Sequence, residues 1–117
     1  RRLRRLRQTR ESKMAEPMKI RARMVEGTAH IVVLMIHPME TGQRKDPRSG
    51  QAYPAHFIQQ VTATINDKPV LNVQCGPAIS KNPMFGFRVK GAKAGDRLVV
   101  AWEDNKGEKA RTEATIA

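Results

Sequence analysis

A chain of 117 residues has material for one small domain and not for two separate cores. Lysine and arginine number 22 against 11 acids, a formal charge of +11, but seven of those bases and one acid fall in residues 1–13, leaving 15 bases and 10 acids elsewhere. The basicity is therefore concentrated at one end and is weak evidence for a nucleic-acid partner, while a single cysteine, Cys75, excludes an internal disulfide and no apolar run approaches the ~18 residues of a membrane-spanning helix.

Residues 1–17 open with Arg1-Arg2-Leu3-Arg4-Arg5-Leu6-Arg7 and read as a basic segment, disordered or non-native, with Met14 as an alternative start. Its charges are not followed by an apolar stretch of about 7 to 15 residues, so no secretory signal is read and export would have to be arranged by another protein. From residue 18 the chain forms one domain of short β-rich runs. Residues 18–24 alternate strictly, which predicts a half-exposed first strand. Glu26-Gly27-Thr28 turns the chain into 29–37, whose centre, Ile31-Val32-Val33-Leu34-Met35-Ile36, is apolar on both faces and predicts a strand dry on both sides. His37-Pro38 stops that strand, and a polar stretch to Pro54 predicts a long exposed loop. Extended structure resumes over 57–65, turns at Asn66-Asp67-Lys68 and returns over 70–73 as a hairpin. The segment between Pro77 and Pro83 is too short for more than a helical turn. Residues 84–90 alternate with Phe85, Phe87 and Val89 inward, 98–102 form a second uninterrupted apolar run, and a last strand carries Thr112, Ala114 and Ile116 on one face. About seven strands at turn spacings of roughly 8 to 12 residues, with no amphipathic helix between them, predict an all-β, antiparallel, immunoglobulin-like sandwich.

The chemistry available is sparse. His30 and His37 lie an odd number of residues apart along a strand and project to opposite faces. A metal site from His37 and His56 across the loop stays open but is short of the three or four ligands that zinc or copper takes, and the ordinary reading is three unrelated imidazoles. Glu103, Asp104 and Glu108 read as solvated turn acids. Cys75, before Gly76-Pro77, reads as a half-buried inert thiol at a strand end. No phosphate loop, nucleophile elbow or carboxylate pair is present, so neither an enzyme nor a cofactor is expected. Two strands apolar on both faces are a surplus for a small sandwich, to be covered by the long loop or by a protein partner.

The decapeptide His37-Pro38-Met39-Glu40-Thr41-Gly42-Gln43-Arg44-Lys45-Asp46, followed by Pro54, Asn66-Asp67-Lys68, Pro77-Ala78-Ile79-Ser80-Lys81-Asn82-Pro83 and Trp102-Glu103-Asp104-Asn105-Lys106-Gly107, resembles the SoxZ family across residues 18–116. The resemblance implies an immunoglobulin-type sandwich that pairs with SoxY as a periplasmic heterodimer and is exported with it. SoxY holds sulfur intermediates of thiosulfate oxidation on a C-terminal, glycine-flanked cysteine and presents them to SoxAX, SoxB and SoxCD, so SoxZ carries no substrate. Cys75 lacks that glycine setting. Carried over by position, the interface candidates are His37, Pro38, Met39, Glu40, Thr41, Gly42, Arg44, Lys45, Asp46 and Trp102. Arg44 and Lys45 would offer positive potential to the thiosulfonate or to docking enzymes; alternatively the motif only shapes the loop, with Arg44 pairing to Asp46 or Glu40. Met84 stands where the family commonly has an aromatic. A competing reading, a nucleic-acid-binding β-domain using an arm over residues 1–10, is weakened by the presence of only five aromatics.

Overall fold

The computed structural model describes residues 18–117, and the basic segment 1–17 lies outside them. Seven strands run in order: β1 (Lys19–Val25), β2 (Thr28–Leu34), β3 (Ile58–Ile65), β4 (Lys68–Gln74), β5 (Met84–Lys90), β6 (Arg97–Asp104) and β7 (Lys109–Thr115). All pairings are antiparallel, giving a three-stranded sheet β1-β2-β5 and a four-stranded sheet β4-β3-β6-β7. The expected sandwich is what forms.

Register follows the hydrophobic pattern. Ile31 pairs with Ala22 and Phe87, and Val33 with Ile20 and Phe85, so the odd-numbered residues of β2 face inward. Opposite them Val61, Ala63 and Ile65 of β3 lie beside Trp102, Val100 and Leu98 of β6. Ile31, Ile58, Leu98, Val100 and Ile116 are fully buried between the sheets. Two-residue turns set the hairpins: Glu26 and Gly27 join β1 to β2, and Asn66 and Asp67 join β3 to β4, all four with positive φ. That geometry matches the right-handed twist of the strands it connects.

The two sides of the sandwich close differently. Along one side β1 meets β7, and the backbone of Ala117 accepts from the Met24 N–H and donates to the Ala22 carbonyl, both at 2.9 Å. On the other side Leu71 and Val73 of β4 and Phe85 and Phe87 of β5 remain half-buried.

Dryness on both faces is expected of the run at 31–36, and the structure corrects this by comparison with the second apolar run. On β6 the outer face is dry at Val99, which is 8% exposed and flanked in register by Thr64 and Glu113. On β2 it is not: outward Val32 is 40% exposed, because its neighbours in register are Arg21 and Gly86, and a glycine covers nothing. The long loop does not fold over that face. Residues 38–57 instead form an irregular hairpin, tied at its base by Glu40 and His56 exchanging backbone hydrogen bonds at 2.6 and 2.9 Å, and further out by the Tyr53 N–H donating to the Arg44 carbonyl and the Asp46 N–H to that of Gln51.

Candidate functional site

The segments carrying the sequence motif meet at the base of this hairpin. The His37 N–H donates to Asn82 Oδ1 and the Asn82 N–H to the His37 carbonyl, both at 2.9 Å, which clamps the end of β2 to the segment 77–83. Asn105 Nδ2 donates to the Ala55 carbonyl and Asn105 Oδ1 accepts from the Phe57 N–H, which fastens the returning arm to the β6–β7 turn. The turn at Asn66 and Asp67 lies apart from this centre, where Asn66 Oδ1 accepts from the Arg97 N–H.

Between these clamps lies Asp104. It is 2% exposed, and its carboxylate receives four donors. Oδ2 accepts from His37 Nε2 at 2.9 Å and from His56 Nε2 at 2.7 Å, while Oδ1 accepts from the backbone N–H groups of Lys106 at 3.0 Å and Glu108 at 2.8 Å. Burial pushes this carboxyl's pKa up, but the bonds from His37, the Glu108 N–H, His56 and the Lys106 N–H outweigh it and hold the group below its ordinary value. His37, equally buried, is pushed down by burial despite its bond to Asp104, and so sits neutral. Its tautomer is fixed: Nδ1 accepts the Met39 N–H at 3.0 Å, leaving the proton on Nε2 to face the carboxylate. The His37 ring also stands edge-on to Trp102 and to His56, with centroids 5.0 and 4.6 Å away. Buried Trp102 Nε1 has no hydrogen-bond partner among the described residues.

Two expectations are overturned here. The histidines are not three unrelated imidazoles, because two converge on one acid; and Asp104 is not a solvated turn residue but the most enclosed charge described. Sequence spacing could not show this, as the three residues come from the segment after β2, the end of the long loop and the last position of β6, 67 positions apart at the extremes. The one available signal was the placement of His37 and Asp104 at the ends of the two apolar runs.

The same three residues are the candidate metal ligands, with donor atoms within 4.8 Å of one another. As oriented they suit protons better. A cation would need the Nε2 lone pair of His37, yet the Met39 bond to Nδ1 requires a hydrogen on Nε2. The carboxylate occupies the central place, with both imidazole N–H groups pointed at it.

Above this lock the motif residues divide. Met39, His37 and Trp102 are interior, whereas Pro38, Thr41, Arg44 and Lys45 are exposed and Glu40, Gly42 and Asp46 partly so. Met39 adopts a left-handed backbone, φ 50°, and its sulfur receives the Ile58 N–H at 3.3 Å. Gly42, at φ 91°, packs so closely that an added Cβ would stand 3.3 Å from that of Ala55. Arg44 binds Glu40 through both Nε and Nη2 and lies 4.1 Å over the Tyr53 ring; the pairing lowers the Glu40 pKa and raises that of Arg44. Asp46 caps the hairpin tip by accepting from the Arg48 N–H. Arg44 is thus answered within the loop, and Lys45 is in no ion pair among the described residues. Cys75 follows β4, half-buried, with its thiol pKa pushed up by burial, as befits an unreactive thiol.

The model of the family described as "Sulphur oxidation protein SoxZ" matches residues 18–115. The chain belongs to the SoxZ family. Membership gives it a role in the sulfur-oxidising Sox system, in which SoxZ is a non-catalytic and generally periplasmic subunit. Among the described residues no helix is long and apolar enough to cross a membrane. No curated protein matches the chain. Solved structures with a similar fold include a superoxide reductase in the oxidised state (TM-score 0.63, 14% identity, 89% of this chain and 90% of that one). A superoxide reductase from Nanoarchaeum equitans (0.59, 13%, 86% and 91%) and a hypothetical protein from Pyrococcus horikoshii (0.58, 14%, 89% and 89%) are also similar. At these identities the likeness is one of fold alone, and the SoxZ match carries the family.

Proposed function

We propose that this SoxZ-family chain is the scaffold half of a SoxYZ carrier, pairing with SoxY in the periplasm while the partner's C-terminal cysteine bears the sulfur. The observation that carries the reading is the motif 37–46 itself, in a hairpin whose base is held by a carboxylate with its bonding capacity spent on holding it. A group with all four acceptor positions filled shapes a surface and has none left for a substrate.

In this proposal the half-buried Leu71, Val73, Phe85 and Phe87 along the open side supply apolar area for SoxY, since stable interfaces have apolar centres. The hairpin stands beside the partner's arm. Lys45 then supplies the positive potential toward the thiosulfonate, because Arg44 is bound to Glu40. SoxAX, SoxB and SoxCD are the transient partners. Co-expression with SoxY followed by size-exclusion chromatography tests the pairing: co-elution is expected, and independent migration overturns it. In a reconstituted Sox assay, Lys45→Gln is expected to keep co-elution and slow turnover, with Arg44→Gln close to wild type.

A further inference from the structure

The outer face of the three-stranded sheet is the other unusual surface. Lys19, Arg21 and Arg23 project from β1 and Arg88 and Lys90 from β5, all exposed. No outward position of the sheet carries an acid, and none of these five cations is in an ion pair among the described residues. With strands ~4.8 Å apart and same-face positions ~7 Å apart, the five charges share a patch of roughly 10 by 20 Å.

Between them the outer side of β2 is apolar over Leu34 and Val32 and polar beyond, with His30 between Arg23 and Arg88 and Thr28 beside Lys90. Leu34 pairs with Lys19 and Met84, and Val32 with Arg21 and Gly86. Val32 and Met84 are the exposed large hydrophobics among the described residues, and both lie here. Gly86 leaves a recess beside Val32, since a Cβ there would meet only the Ile31 carbonyl oxygen, at 3.9 Å. Five uncompensated cations around an apolar recess are the complement of an apolar projection ringed by carboxylates.

We infer that this face docks an acidic protein surface, with the recess over Val32 and Gly86 receiving an apolar side chain. A second copy of this chain would bring like charges together. A single-stranded nucleic acid would find no aromatic platform, as Phe85 and Phe87 point inward, and its phosphates offer nothing apolar to cover Val32 and Met84. A lipid surface is entered by a row of protruding apolar side chains, and among the described residues this face exposes only two large ones, Val32 and Met84. A patch of this size is that of a transient contact, steered by charge and sensitive to salt. The inference rests on the Sox reading above for the identity of the partners, which would be the enzymes that visit the carrier in turn.

The test uses the SoxY pair, and the chain alone in parallel, against SoxAX, SoxB and SoxCD separately at low and physiological salt. Arg21→Glu with Arg88→Glu is expected to weaken at least one enzyme about tenfold and flatten its salt dependence, with co-elution with SoxY unchanged. Gly86→Val, which fills the recess and keeps every charge, is expected to weaken the same enzyme severalfold with the salt dependence intact. Wild-type binding of all three enzymes by both variants overturns the inference. So does loss of SoxY from the charge-reversed chain, which would assign the face to the stable pair. So too does a defect seen only with phosphatidylglycerol vesicles or a single-stranded oligonucleotide. Failure of wild-type chain to pair with SoxY strikes the functional reading instead, and the enzyme measurements on the chain alone still decide the face.

Discussion

In the hairpin and at its base the acids Asp104, Glu40 and Asp46 are each answered by a donor; on the outer face of β1-β2-β5 no cation is in an ion pair among the described residues. Asp104 has four donors, Glu40 has Arg44, and Asp46 has the Arg48 N–H. Lys19, Arg21, Arg23, Arg88 and Lys90 are in no ion pair among the described residues. The contrast teaches that compensated charge is spent on shape, whereas uncompensated charge is left for encounter. Both regions are polar in sequence, and only pairing separates them.

The sharpest way to break the comparison is Asp104→Ala. It strands two imidazole and two backbone donors in a sealed site and is expected to cost about 3 to 5 kcal/mol in denaturant unfolding, a large part of the total for a domain of this size. A loss under about 1 kcal/mol would remove the lock from the argument. Acid probes the same place. His37 binds its proton less readily when folded than when unfolded, so its contribution is complete above the ordinary value of 6.5 and is lost as pH falls below it toward the lower folded value. Asp104, also depressed, adds a second loss below the ordinary 3.8. Melting temperature should therefore fall from pH 7.5 to 5, and His37→Gln should flatten that first decline from a lower starting stability. Gly42→Ala, placing a methyl in a left-handed position against Ala55, is expected to cost about 1 to 2 kcal/mol. On the unanswered side the sign reverses. Arg21→Gln with Arg88→Gln should leave melting unchanged or raise it slightly at low salt, an effect that added salt erases. Arg44→Gln should barely move melting, because an exposed pair contributes little.

Much of the fold was legible because strand structure is written locally. The alternation at 84–90 gave β5 with its limits, and the turns at Gly27 and Asn66 placed two hairpins. The long loop was legible as a segment but not as a hairpin, since its bridges pair Glu40 with His56 and Lys45 with Ala52, and no regular alternation marks them. The lock was illegible in principle: an acid beside a turn looks solvated until the turn is tucked under a loop that comes from elsewhere. Val32 misled for the opposite reason. A continuous apolar run says that a strand is central, and β2 is central in its sheet, but it does not say whether anything lies over the outer surface.

The methionines are arranged as a graded set. Met35, Met18 and Met39 are sealed at 0, 4 and 6% exposure, while Met84 stands 64% open at one end of the cationic face. A mild peroxide should add oxygen to the Met84 thioether long before the buried ones, so each molecule carries its own tracer there. A bound protein shielding that sulfur would appear as a slowed 16-dalton gain on one peptide, legible by mass alone and without any label being attached.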